Sequence, residues 1–333
     1  MSVTPLPRLR TPLCELLGVD YPIIQTGMGW VAGPKLVSAS ANAGIMGILA
    51  SATMDFDQLK TSIAEVKTRT TKPFGVNLRA DSADVQDRIS LMIDEGIKVA
   101  SFAQAPKPEL ISRLKDAGVV VIPSIGAKRH AEKVLEWGVD AVLVQGGEGG
   151  GHTGSVPTSV LLPQVVDAVA GRVPVIAAGG FFDGRGLIAA LAYGASGVAM
   201  GTRFLLTSDS SVPQTVKDYY LSRGVLDTVV SVQVDGVPHR VLRTDLVNQL
   251  ESGRGKFLAL PRAGINALKA QAVAARSYGL AQGGGLTNRR YSYAKTCDTT
   301  NCQVYGGAGT RTSATANIVV IEDWRSDRAV SET

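Results

Sequence analysis

Cysteine is scarce in this sequence. Cys14, Cys297 and Cys302 are the whole set, odd in number and widely spaced, which excludes a disulfide framework. Aromatic residues make up only 5%, too few to interleave with basic side chains as a nucleic-acid surface requires. The net charge of +5 does not rescue that reading, because the excess is local. Residues 1–252 carry 23 Lys+Arg against 24 Asp+Glu, whereas residues 253–333 carry 11 against 5. No apolar run approaches the ~18 residues of a membrane-spanning helix. Met1–Arg10 has no apolar stretch of the kind a secretory signal needs. A cytoplasmic protein with no membrane or nucleic-acid partner is therefore expected. No His, Cys and carboxylate spacing marks a metal site, and the Cys297–Cys302 pair lacks matched histidines.

Glycine, by contrast, is abundant at 37 residues, and apolar residues reach 45%, enough for a large core. The apolar residues fall into short unbroken runs at 21–25, 45–50, 73–77, 98–103, 119–123, 141–144, 173–178 and 197–200. Helical segments separate them, at 34–43, 55–68, 81–95, 107–117, 127–137, 159–170 and 184–193. Asp81 reads as the N-cap of the third helix, and Gly44, Gly96, Gly118, Gly138 and Gly194 read as helix stops. Unbroken apolar strands suit a parallel sheet covered on both faces. About eight strand–helix units predict an α/β fold, a (β/α)₈ TIM barrel. A doubly wound open sheet is the alternative. It needs a break between domains, and none is visible before residue 205.

In such a barrel the site lies at the C-terminal ends of the strands. The stretch that stands out there is Val144–Gly154, with six glycines between Gln145 and Gly154 and a single imidazole, His152. Glycines in that number let backbone approach a ligand and present N–H groups to it. Of the three histidines, His152 is the one flanked by glycine at a strand end, where an imidazole can pass a proton near neutrality. His130 reads as a solvated helix residue, and His239 has no evident partner. Gly149–Gly154 also fits the dinucleotide pattern G-x-G-x-x-G. It follows the sixth strand and lacks the later acidic residue, so a Rossmann reading is set aside. Gly179-Gly180 and Gly201-Thr202 end the seventh and eighth strands, where this fold binds phosphate at helix N-termini. Lys128, after Ser124-Ile125-Gly126, is placed to reach a phosphate or to be an ordinary first-turn lysine.

Five motifs now stand in register: Gln25-Thr26-Gly27-Met28, Gly75-Val76-Asn77, the Gly-Gly-His loop with Thr153-Gly154, Ala177-Ala178-Gly179-Gly180, and Met200-Gly201-Thr202-Arg203-Phe204. Together they resemble the nitronate monooxygenase (2-nitropropane dioxygenase) family over residues 9–252. The resemblance implies an FMN-binding (β/α)₈ barrel over residues 1–252. It implies that Gly27, Met28, Asn77, Lys128, Gln145, Gly150, Gly151, Gly179, Gly180, Gly201 and Thr202 surround FMN, with His152 the catalytic residue beside the flavin. The family oxidises alkyl nitronates with O₂; relatives include enoyl-thioester reductases and an actinobacterial branch acting on CoA thioesters in steroid-ring breakdown. Gly29–Gly33, Asn42-Ala43-Gly44 and Gly179–Gly186 look most like that branch. The expected partners are a nitronate or an acyl-CoA thioester, O₂, and a second copy of the chain in a homodimer.

The final residues depart from this pattern. Asn266–Tyr278 and Cys297–Tyr305 resemble a fragment of the sporulation-protein-D/LytB family of peptidoglycan-acting proteins, over about 264–307. Residues 253–333 thus read either as a partial domain joined to the barrel or as an accessory segment with a wall-directed role. A partial domain cannot bury a complete core, so loose packing of residues 254–333 is expected.

Overall fold

A computed structural model describes residues 9–252 apart from Asp235. The expectations about packing of the tail, including Cys297 and Cys302, lie outside the described residues. The chain divides into two compact units between Val212 and Pro213.

The first unit opens with a helix that the sequence reading did not anticipate, α1 (Pro12–Leu17). Proline at its first turn and left-handed Gly18 after its last residue delimit it. There follow β1 (Ile23–Gln25), α2 (Pro34–Asn42), β2 (Met46–Ala50), α3 (Phe56–Arg69), β3 (Phe74–Leu78), α4 (Val85–Asp94) and β4 (Val99–Phe102). The chain continues with α5 (Pro108–Asp116), β5 (Val120–Ile125), α6 (Lys128–Glu136), β6 (Val142–Gln145), the two-residue β7 (Gly151–His152) and α7 (Thr158–Val169). It closes with β8 (Val175–Ala178), α8 (Gly184–Ala192), β9 (Gly197–Met200) and the single turn α9 (Thr202–Leu205). Strands β1-β2-β3-β4-β5-β6-β8-β9 form a closed parallel barrel, sealed by β1 on β9 with Ile24 opposite Ala199. The predicted (β/α)₈ architecture is the one observed.

Two layers of apolar side chains follow from the alternation of strand residues. Leu49, Val76, Ala100, Val121, Val142, Val144 and Ala177 face the helices and join Leu59, Ile63, Ile89, Ile111 and Leu162 in one cluster. Their strand neighbours Ile48, Val99, Ile122, Leu143 and Ile176 fill the barrel with Leu13, Cys14 and Leu17 of α1. The first helix therefore plugs one end of the barrel. Gly197 shows how closely: a β-carbon there would stand 2.5 Å from both Leu13 Cδ2 and Pro22 O.

One cap is corrected. The third long helix begins at Val85 with Asp84 at its N-cap. Asp81 instead takes a two-pronged hydrogen bond from Arg79, 3.0 Å and 2.7 Å. Asp84 is itself engaged from further along the helix by Arg88, whose Nε donates at 2.8 Å. The buried Arg88 guanidinium also donates to Ser51 O (2.9 Å) and Met54 O (2.7 Å), tying α4 to the loop after β2.

The described part of the second unit holds α10 (Gln214–Leu221), β10 (Thr228–Ser231), β11 (His239–Leu242) and α11 (Asp245–Glu251). Its strands pair antiparallel, Thr228 opposite Leu242 and Ser231 opposite His239. The Thr244 hydroxyl caps α11 by accepting from Val247 N at 3.3 Å. No helix among the described residues is long and apolar enough to cross a membrane.

Candidate functional site

The barrel interior changes character towards the C-terminal ends of its strands. Two residues beyond the inward-facing Val99, Ile122 and Leu143 come Ser101, Ser124 and Gln145. Asn77 holds the same place on β3, two residues after Gly75, whose β-carbon would press on Ile48 Cδ1 and Val99 Cβ inside the barrel. Asn77 Nδ2 donates to Ser101 O at 3.3 Å, and Ser51 Oγ donates to Asn77 O at 2.5 Å. An apolar plug thus supports a polar floor under the mouth.

Glycine contacts join the loops around that floor. A β-carbon at Gly27 would stand 2.5 Å from Asn77 Cβ, and one at Gly201 would stand 3.4 Å from Met28 Sδ. One at Gly150 would lie 3.2 Å from Thr202 Oγ1. One at Gly179 would lie 3.0 Å from Gly149 N. The end of β3 and the loops after β1, β9, β6 and β8 therefore abut, in most cases at a glycine. Gly27, Met28, Asn77, Gly150, Gly179, Gly201 and Thr202, singled out from sequence, form this chain of contacts. Gly180 adjoins it, with Glu148 Cβ 3.3 Å from where its β-carbon would be and φ +82°. That left-handed backbone favours glycine.

His152 is carried by a loop that is tied to itself. Gly146 O accepts from Gly149 N (3.2 Å) and from Thr153 Oγ1 (3.0 Å), and Gly147 N donates to Val156 O (2.7 Å). The Gln145 side-chain amide donates to His152 O, placing Gln145 beneath the histidine. Sequence reasoning gave Glu148 no role, yet its carboxylate accepts from Thr158 N (2.8 Å) and Thr158 Oγ1 (2.6 Å). The N-cap residue of α7, Pro157, supplies no side-chain cap, so Glu148 caps this helix from the loop. Thr158 Oγ1 also lies 3.2 Å from Gly179 O, so one threonine joins the histidine loop to the loop after β8. An acidic residue ten positions before a helix-starting threonine is no local pattern, which is why only the folded contacts find it.

Two of the rim's loops lead into helices, and the one at α8 carries a side-chain cap of its own. The N-terminus of α8 already holds a carboxylate: Asp183 Oδ1 accepts from Gly186 N at 3.1 Å. The Arg185 guanidinium, then the Gly186 N–H, hold the Asp183 carboxyl below the usual carboxylate range. What remains open is the rim itself. The backbone N–H groups of Gly180 and Thr202 donate to nothing among the described residues, and both residues are exposed. With the side-chain-free surface at Gly150, they fit the phosphate of a nucleotide-like cofactor. Lys128 pairs instead with Glu132 on its own helix, Nζ to Oε1 3.6 Å. Among the described residues no group of His, Cys, Asp and Glu could hold a metal.

A family model described as nitronate monooxygenase matches residues 10–296, and a second, stage II sporulation protein, matches residues 260–333. A Mycobacterium tuberculosis protein named (3aS,4S,5R,7aS)-5-hydroxy-7a-methyl-1-oxo-octahydro-1H-indene-4-carboxyl-CoA dehydrogenase is 68% identical over 261 residues, covering 77% of this chain and 74% of the relative. A Rhodococcus jostii protein of the same name is 61% identical over 284 residues, covering 85% and 80%. Among solved structures, FabK from Thermotoga maritima superposes with a TM-score of 0.70 at 36% identity, covering 83% of this chain and 84% of that one.

Proposed function

This chain belongs to the nitronate monooxygenase family, and from that premise we propose that it is a flavin-dependent oxidoreductase that dehydrogenates a fused-ring carboxyl-CoA thioester. The observation that carries this reading is the 68% and 61% identity to two dehydrogenases named for such a thioester, over most of both chains. Flavin mononucleotide is the cofactor of this reading, and the backbone donors and glycine surfaces of the rim support it. Gly180 and Thr202 would hold its phosphate, Gly150 and Gly201 would admit its chain, and Asn77, Gly27 and Met28 would lie against its ring. When bound, it supplies a two-electron acceptor.

The protein's own part is positioning and proton handling. The Gln145 amide and the Glu148–Thr158 pair hold the loop on which the His152 imidazole stands. The imidazole takes the proton that the substrate loses as its electrons leave. The polar floor of Asn77 and Ser101 keeps the mouth side of the barrel from collapsing onto its apolar interior. A second reading, oxidation of an alkyl nitronate with O₂, is favoured by the family match itself; the nitronate is already deprotonated at carbon, so there the imidazole would steady its negative charge.

The test is anaerobic mixing of the flavin-loaded full chain with an octahydroindene carboxyl-CoA, a straight-chain acyl-CoA and propyl-2-nitronate in turn. Bleaching of the flavin's visible absorption by the fused-ring thioester is the expected result. Bleaching by the nitronate alone would move the assignment to the second reading.

A further inference from the structure

The loop after β1 carries a residue that neither the cofactor rim nor the proton step uses. Trp30 has φ +59°, one of only two non-glycine residues above zero among those described. It stands two places beyond Met28 in a turn closed by Val31 N and Ala32 N, which donate to Met28 O at 3.1 Å and 2.9 Å. At that position of a turn, φ above zero calls for glycine or asparagine. For a bulky side chain it is an outlier that costs stability. The strain is held in place from both sides. Trp30 N donates to Thr53 Oγ1 at 3.3 Å. The next two residues, Val31 and Ala32, are buried at 8% and 1% exposure. The backbone is thus clamped while the indole is left 45% exposed.

A large aromatic group kept in water on a strained and anchored loop is doubly unfavourable for folding alone, and strain of this kind concentrates where ligands are clamped. The loop's place says which ligand. A β-carbon at Gly201 would stand 3.4 Å from Met28 Sδ and one at Gly27 2.5 Å from Asn77 Cβ, so Trp30 lies two residues beyond the segment proposed to border the flavin ring, where the acyl group of a substrate would approach. We propose that Trp30 is a specificity-determining residue, whose pre-set indole packs on the apolar fused-ring face of the acyl group. This rests on the thioester reading given above. The rigid aromatic surface is already in place before binding, so little ordering entropy is lost when the ring docks.

Three variants of the flavin-loaded full chain test it. Trp30→Gly removes both ring and strain, Trp30→Ala removes the ring alone, and Trp30→Phe keeps an aromatic face. For the fused-ring thioester, Trp30→Gly and Trp30→Ala are expected to raise KM about tenfold while kcat changes little, with Trp30→Phe restoring most of the loss. A straight-chain acyl-CoA should show no such rise. Trp30→Gly should melt a few degrees higher than the natural chain. An unchanged KM for the fused-ring thioester, or an equal rise for the straight-chain one, overturns the role of Trp30 and leaves the thioester reading intact. Failure of the natural chain to accept any thioester overturns both.

Discussion

At the scale of single residues, the candidate site separates into groups that touch ligand and groups that hold those groups still. In the proposed reaction His152 belongs to the first. Replacing it with alanine removes the proton acceptor and leaves the glycine rim untouched. Turnover should fall roughly 10²–10⁴-fold while bound flavin, read from its absorption, stays near stoichiometric. Arg88 belongs to the second. It is 7% exposed and serves Asp84, Ser51 O and Met54 O at once. Arg88→Met should destabilise the chain by about 2–4 kcal/mol in urea unfolding, because three acceptors lose their donor. The pH dependence follows from Asp84. Partial burial alone would raise its carboxyl, but the Ser82 hydroxyl and the Arg88 guanidinium outweigh that and leave it below the usual range. A carboxyl with a lowered folded value stabilises above its unfolded value, near 4, and loses that contribution as pH falls through the folded value. The melting-temperature gap between the natural chain and Asp84→Asn should therefore be full at pH 6 to 7 and close progressively below about pH 4.

The residue scale also marks where sequence stops being informative. Gly27, Gly150, Gly179 and Gly201 were legible because glycine at a strand end has few other uses. Glu148 and Trp30 were not. The importance of Glu148 comes from Thr158 and Gly179, far along the chain, and that of Trp30 from a backbone angle. Lys128 was legible only as an alternative, phosphate ligand or first-turn lysine, and in the structure it lies 3.6 Å from Glu132 four residues on.

Among elements, the barrel strands were the clearest, since burial on both faces leaves unbroken apolar runs that nothing else in the chain imitates. Helix α1 was missed because six residues are too few to show a period. The start of α4 was misplaced because Asp81 has the chemistry of a cap but is held by Arg79, and the chain turns once more before the helix begins. The α1 plug carries its own prediction. Gly197→Ala pushes a methyl group against Leu13 and the Pro22 carbonyl, and should cost about 1–3 kcal/mol, seen as a lower urea midpoint at unchanged slope. The loop between β6 and α7 carries another. Glu148→Ala strips α7 of the side-chain cap it takes from the loop and frees the histidine loop. It should slow turnover more than it weakens flavin binding, and Glu148→Gln should restore part of the rate.

For the molecule as a whole, the described fold is a polar mouth on an apolar barrel, in which the rim is built from residues that lack side chains. A ligand that binds only the folded rim adds to stability by mass action. Saturating FMN at about a hundred times its dissociation constant should add roughly 2.7 kcal/mol to unfolding, measured as a rise in melting temperature that grows with FMN concentration. A surface hollow between α3 and α4, lined in part by Asp84, Asp87 and Asp94, holds none of the residues that the loops bring together.

The central claim is that open backbone donors at Gly180 and Thr202 hold a cofactor phosphate beside His152. It is tested most directly by titrating the flavin-stripped full chain with FMN and with riboflavin, which differ only in that phosphate. FMN should bind on the order of a hundredfold more tightly, and Gly180→Val should remove most of the difference. Equal affinities for the two flavins would contradict the claim.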